Sequence, residues 1–427
     1  MTTIPRFSET FDGYETIDFK EYLQQGRIEI HLERRSDKPV CCHRCGESMR
    51  TERGRYRQRL EALPVMGIRA YVFFWRHKGY CGKCRKARSE RVDFVSPETP
   101  HLTSTFAWWI GRLCEIAAVS RVAELVNQAK MTAWRIDFRR MKRMLAHYKI
   151  PEVRRISVDE VYARKKPRPG ESRNERFFTV ITDLDTRRVV WVSESRSKKG
   201  LDQFFLLIGE QAAKKIEVVA VDQHEDYAAS VREYCPQATL VWDRFHVMQI
   251  FEEAVNETRK SLHEEQPRSG EMARLTRGQY RFLFLKKEKR RTEEERTHIN
   301  SVLAENTRFA KLELIKERML SFFDQSDEAS AKAVFEEIGD WIWQERFEPL
   351  MRWHKNLERG WDTLKNYFRH RVTSSLSEGV NNVIKSIKRR AFGYRNMEYF
   401  RLKIMQVCGY LNSRYVATSH QLLTQKG

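Results

Sequence analysis

"RRISVDEVYARK", residues 154–165, reads as a β-strand: Ile156 and Val158 alternate with Ser157 and Asp159, and Asp159 and Glu160 stand near its end. Working outward, "RFFTVITDLD" (176–185) and "RRVVWVSESR" (187–196) read as two further strands. The short turn at Asp185 and Thr186 makes them a hairpin. "LDQFFLLIGEQAAKK" (201–215) reads as a helix, "IEVVAVDQ" (216–223) as a strand rich in β-branched residues, "YAASVREYC" (227–235) as a helix and "ATLVWDRF" (238–245) as a short strand. Three neighbouring strands followed by helix, strand, helix, strand predict an α/β fold with a mixed sheet. The second half of that sheet should be parallel and buried.

On either side of this block the pattern changes. Residues 1 to about 95 hold five of the eight cysteines and read as short strands and turns. Residues 101–150 have helical periodicity, and from about 251 onward the pattern is almost wholly helical. "KKEKRRTEEERTHIN" (286–300) is a dense mixed-charge run expected on an exposed helix or the tip of a helical hairpin. Trp341, Trp343 and Trp353 lie in a helical segment and are expected in a core.

The chain has 427 residues, enough for two to four domains. Mean hydropathy is −0.66, and no apolar run approaches the ~18–20 residues that span a bilayer. "MTTIPRFSETFDGYE" lacks the basic start and apolar core of a signal peptide, which predicts a cytoplasmic protein. A net charge of +21 points to a polyanionic partner, nucleic acid before an anionic membrane surface.

In a reducing compartment, clustered cysteines suggest metal rather than disulfides. Cys42 with Cys45 and Cys81 with Cys84 form two C-x-x-C pairs, separated by a stretch that reads as a β-hairpin. Each pair lets one tight turn deliver two thiolates, so the two together predict a closed, structural Zn2+ site. Cys41 and His43 adjoin the first pair and are alternative ligands.

"CEIAAVSRVAELVNQAKMTAWRIDFRRMKRML" (114–145) reads as an apolar helix, a turn around Asn127–Lys130 and a second helix opened by Thr132. Arg135, Arg139, Arg140, Lys142 and Arg143 make the second helix basic, as a helix-turn-helix in the major groove requires. An ordinary helical hairpin is the competing reading.

Asp159 lies at the middle or end of the first strand and Asp222 at the end of the fourth, strands that the inferred order makes neighbours. Two carboxylates that close repel unless cations lie between them, and Mg2+ prefers such oxygen ligands. In "SSLSEGVNNVIKSIKRRAFGYRN" (374–396), Ser375 and Glu378 have the spacing of a capping box. At 100° per residue Glu378, Asn382, Lys385 and Arg389 share one face of a helix, with Val380, Val383, Ile384 and Ile387 opposite. A glutamate holding a metal beside a DNA backbone would be served by those cations.

Together "CHRCG…CGKC", "SVDE", "VDQHEDYAASV", "WDRFHV" and "SEGVNNVIKSIKRRAFGYRNMEYFRLKIM" resemble bacterial insertion-sequence transposases of the ISL-three type, nearly end to end. The resemblance implies an RNase H-like catalytic core interrupted by a helical insertion. It divides the chain into a zinc-binding domain (1–97), a helix-turn-helix domain (98–150), a first core part (151–262), a helical insertion (263–360) and a C-terminal core part (361–427). It implies a DDE triad of Asp159, Asp222 and Glu378 acting with two Mg2+ ions, Mn2+ substituting, with Asp243, His246 and Asn382 in support. It also implies terminal inverted repeats and target DNA as double-stranded substrates, with at least a homodimer on DNA near the nucleoid and no membrane partner. Arg135, Arg139, Arg140 and Arg143, with Lys385, Lys388, Arg389 and Arg390, are the expected DNA contacts. "SSLS" before Glu378 and "QHED" after Asp222 are less typical of the family and leave Asp226 as a rival to Asp222. A non-catalytic regulator and a host nuclease are the competing functions.

Overall fold

The computed structural model describes residues 11–49, 51–164, 173–223, 225–264, 283, 286, 288–305, 307–372 and 375–412. The chain forms two compact units, residues 1–149 with 386–427, and residues 150–385.

In the first unit, β1 (Tyr14–Tyr22), β2 (Arg27–Arg34), β3 (Thr51–Val65), β4 (Ile68–Cys81) and β5 (Lys86–Ser89) build one mixed sheet. Its order is β1-β2-β4-β3, with β5 also on β4. The long β3–β4 hairpin turns through Met66 and Gly67, whose φ of +51° and +81° suit a two-residue turn that follows the strands' twist. One face of the sheet buries Ile28, Ile30, Leu60, Val72 and Phe74 against Phe11, Tyr14 and Phe94. Three helices follow, α1 (Ser104–Ile116), α2 (Val119–Leu125) and α3 (Lys130–Ala146). The single apolar helix expected before the turn is therefore broken, because Ala117 and Ala118 are extended. The break lets Val122 and Ala123 join Phe106, Ile110, Ala133 and Ile136 in one core. The helix after the turn begins at Lys130, two residues before Thr132.

The last described helix, Met397–Val407, belongs to this same unit. A buried polar cluster holds it. The Tyr399 hydroxyl donates to Asp137 Oδ2 at 2.5 Å, and Lys403 Nζ lies 2.8 Å from that carboxylate and donates to the Cys114 carbonyl at 2.6 Å. Burial and the Asp137 charge raise the Tyr399 hydroxyl far above its ordinary range.

The second unit is built on β6 (Arg155–Tyr162), β7 (Phe177–Asp183), β8 (Arg188–Ser193), β9 (Val218–Val221) and β10 (Thr239–Trp242). The order is β10-β9-β6-β7-β8. β7 runs antiparallel to β6 and β8, while β9 and β10 run parallel to β6, as the sequence led us to expect. Helices α4 (Lys198–Ile208), α5 (Glu210–Ala213) and α6 (Glu225–Tyr234) form the crossovers, and α7 (Arg244–Glu264) leaves the sheet. Val218, Ala220 and Val241 share a core with Phe251, Phe322, Phe335 and Leu357. Gly360 is part of that packing: a Cβ there would lie 1.6 Å from the Trp242 ring. Trp353 is buried and Trp341 packs on this core, but Trp343 is 42% exposed under Lys355 and corrects the expectation of three core tryptophans. In the mixed-charge run, Thr292 and Glu295 cap the helix Glu293–Glu305 reciprocally, and Arg291 is buried on Glu313 at 2.7 Å.

Candidate active site

The register Arg155↔Val218, Ile156↔Val219, Ser157↔Ala220 pairs β6 with β9, and Asp222 follows directly after the end of β9. The Asp222 charge is felt at Glu160, next to Asp159, and at His246. Asp159 is 8% exposed. Its Oδ1 accepts the Glu160 amide at 2.6 Å, and its Oδ2 accepts Asn381 Nδ2 at 2.7 Å. His246 Nε2 lies 3.8 Å from Oδ1, and His246 Nδ1 is 3.1 Å from Asp243 Oδ2. Asp243 is buried, and its Oδ1 accepts the Phe245 amide at 2.9 Å, tying the cluster to the first turn of α7. Asp226 sits instead in the first turn of α6.

The electrostatics are those of crowded carboxylates. Burial raises Asp159, against the lowering influence of His246 and the Glu160 amide. Burial and the Asp222 charge push Glu160 up to about 7, with Arg196 at 2.8 Å opposing them. Burial alone would lower the His246 imidazole, but the Asp243 hydrogen bond and the charges of Asp159, Asp243 and Asp222 raise it to about 9. His246 and Arg196 offset part of this negative charge, and the carboxylate oxygens that remain are the ligand type a hard divalent ion takes.

Glu378 lies in the helix Ser375–Arg390, with the side chains of residues 375–378 outside those described. Position 378 is one turn before Asn381, so the helix that brings Asn381 to Asp159 carries Glu378 on the adjoining part of its surface. Asn382, expected to support the site, is exposed, and its neighbour Asn381 makes the contact. The two flank the line of Glu378 at +40° and −60°, and Asp159 approaches from the second side. Of the apolar face, Ile384 and Ile387 are buried, while Val383 is 43% exposed.

The Transposase family model of the ISL3 DDE type matches residues 156–404, which include Asp159, Asp222 and Glu378. The chain belongs to the ISL3-type insertion-sequence transposases. It is 25% identical over 393 residues to the transposase for insertion sequence element IS1001 of Bordetella parapertussis, covering 92% of this chain and 94% of that protein. It is also 25% identical over 326 residues to the IS1557 transposase of Mycobacterium tuberculosis strain H37Rv, covering 69% of this chain and 70% of that one. Membership supports a DNA-processing enzyme that binds DNA and uses a divalent metal. No helix among the described residues of this transposase is long and apolar enough to cross a membrane.

The transposase also gathers Cys42, Cys45, Cys81 and Cys84, whose sulfurs all lie within 4.8 Å of one another. Cys45 is 3.5 Å from both Cys81 and Cys84, and Cys42 is 4.0 Å from Cys84. A tetrahedral ion with Zn–S bonds of about 2.3 Å needs sulfurs about 3.8 Å apart, so the four fit zinc. Gly46, at φ +75°, closes the first knuckle by donating to the Cys42 carbonyl at 2.9 Å. Burial pushes the Cys42 thiol up, but the amides of Cys45 and Arg44 and the neighbouring thiols outweigh it and bring it to about 7. Cys41 and His43 face away, toward the carbonyls of Pro39 and Ser89.

The basic residues divide. Arg135 is exposed on α3. Arg139 donates to the Glu98 carbonyl at 2.9 Å, and Arg143 pairs with the Glu98 carboxylate. Arg140, expected on DNA, is 6% exposed and pairs with Glu115 at 2.8 Å, its stem lying across Gly111. The correction follows from helical spacing: position 140 falls on the face of Ala133, Ile136 and Asp137 that packs inward. Lys385 and Arg389 are exposed, Lys388 is half-buried, and Arg390 donates to the Ile116 carbonyl at the end of α1 at 2.5 Å. Arg140→Ala should therefore lower stability by about 1–3 kcal/mol through lost packing and a lost charged hydrogen bond, Glu115 keeping Arg112 at 2.7 Å. Arg135→Ala should stay within about 0.5 kcal/mol of wild type. Denaturant midpoints of the two variants check both.

Proposed function

We propose that this transposase cuts DNA at the terminal inverted repeats of an insertion sequence and joins the ends to target DNA by Mg2+-dependent phosphoryl transfer. The observation that carries the reading is the 2.7 Å hydrogen bond from Asn381 to Asp159, which ties the Glu378 helix to β6, the strand that pairs with the one ending just before Asp222. The strand order β8-β7-β6-β9-β10, antiparallel in its first half and parallel in its second, supports an RNase H-like core. Asp159, Asp222 and Glu378 would hold two divalent ions, Mg2+ or in its place Mn2+. When bound, such ions lower the pKa of an attacking water or 3′-hydroxyl and neutralise charge on the departing oxygen.

The chain's own residues supply the rest. The Glu160 amide and Asn381 fix the two oxygens of Asp159, so little reorganisation remains when substrate binds. His246, held by Asp243, places positive charge beside Asp159. Lys385 and Arg389 serve phosphates along the strand. In this reading the cysteine cluster holds a structural zinc, α2 and α3 form the helix-turn-helix that finds the element ends, and a homodimer or larger assembly pairs two ends.

The test is a supercoiled plasmid carrying an element with its inverted repeats, incubated with the purified chain and Mg2+. Breaks at the element boundaries leaving 3′-hydroxyls are expected. Specific binding of the ends with no Mg2+-dependent break would instead make the chain a regulator.

A further inference from the structure

The face of the N-terminal sheet opposite its core is neither apolar nor evenly charged. β3 places Arg55, Arg57 and Arg59 at alternate positions on it, opposite His77, Trp75 and Phe73 and all exposed, with Arg53 exposed at a bulge beyond them. At about 3.4 Å per residue this is a ladder of three cations about 14 Å long. Each guanidinium roofs an aromatic ring: Arg53 on Tyr80 at 5.3 Å, Arg55 on Trp75 at 4.9 Å, Arg57 on Phe73 at 5.0 Å and Arg59 on Tyr71 at 5.1 Å. Stacking holds the planar groups in fixed rows, which reduces the entropy lost when they engage a partner.

Two carboxylates that border the ladder on this face, Glu29 and Glu61, are already matched. Glu29 pairs with Arg27 and His31, and Glu61 pairs with Arg69 at 3.0 Å. Among the described residues, the side-chain partners of Arg55, Arg57 and Arg59, and of Arg53 beyond them, are aromatic rings rather than carboxylates. The surplus charge therefore has no internal partner, in a chain of net charge +21. The row also leads to the α2–α3 turn: Gln128, in that turn, donates to Glu61 Oε2 at 2.9 Å on the same strand and face.

We infer that this arginine ladder is a second DNA-binding surface, which grips the phosphate backbone beside the segment read by the helix pair. The inference rests on the transposase reading for the identity of the polyanion. Each ring carries a guanidinium over one side, while Trp75 keeps 45% of its surface exposed; the cations of the row meet phosphates, and that contribution should be independent of sequence.

The test uses the full chain, duplex DNA of random sequence without added Mg2+, and binding measured over a range of salt. Each phosphate contact adds about 0.9 to the slope of log affinity against log salt. Arg55→Gln with Arg57→Gln and Arg59→Gln should reduce that slope by about 2–3 and weaken binding about 10- to 100-fold at physiological salt. Replacing the same three with lysine should restore most of the slope. Zinc content and melting temperature report that the variants fold. An unchanged slope in the folded glutamine variant overturns the surface alone and leaves the transposase reading intact. Loss of binding to anionic vesicles without loss on DNA overturns it in favour of a membrane. Failure of the wild-type chain to bind DNA at all overturns the transposase reading and this surface with it.

Discussion

Asp159→Asn is expected to reduce cleavage at the element ends at least about 10³-fold, ~4 kcal/mol of barrier, while DNA affinity changes less than about twofold. The exchange keeps the size of the side chain and one accepted hydrogen bond, with the Asn381 amide turning to accept the other, but removes the charge that would hold a divalent ion. It also removes a costly feature. Burial pushes the Asp159 carboxyl up, so the ionised form is disfavoured where it sits. A neutral amide there should leave the metal-free protein at least as stable as wild type. The melting temperature should therefore hold or rise as activity disappears, which separates a catalytic loss from unfolding. An inactive variant that also melts well below wild type would mean that Asp159 serves the fold.

Replacing Cys42 and Cys45 together by serine should have the other large effect. Apparent binding energies of structural zinc are about 10–16 kcal/mol, as large as the whole stability of a typical domain. The double variant should lose its zinc, and with it the cooperative unfolding of the N-terminal unit and the specific binding of element ends. Cys41→Ser is the control and should change neither zinc nor stability, because that thiol faces the Pro39 carbonyl. Fewer than one zinc per chain in the native protein would refute the site.

What the sequence revealed depended on how local its signal was. The five strands of the second unit and the parallel pairing of β6 with β9 follow from residue alternation and element order. The cysteine cluster follows from two tight turns at the ends of a hairpin. Features set by long-range packing were not legible. Arg140 carries the same charge as Arg135, and only the approach of α1, with Glu115, makes one of them internal. The last helix joins the N-terminal unit through Asp137 and Lys403, which are 266 positions apart and give no local sign of pairing. Asn381 and Asn382 were indistinguishable by helical face, and the direction from which Asp159 approaches chose between them. A tighter reading of i, i+3 spacing from Glu378 would have kept both asparagines.

The central claim is that Glu378 completes a metal site with Asp159 and Asp222. The most direct measurement is Mg2+-dependent cleavage of an element-end plasmid by Glu378→Gln, with DNA affinity measured in parallel. The account predicts cleavage reduced at least about 10³-fold at near wild-type affinity. Cleavage by Glu378→Gln at the wild-type rate would contradict it.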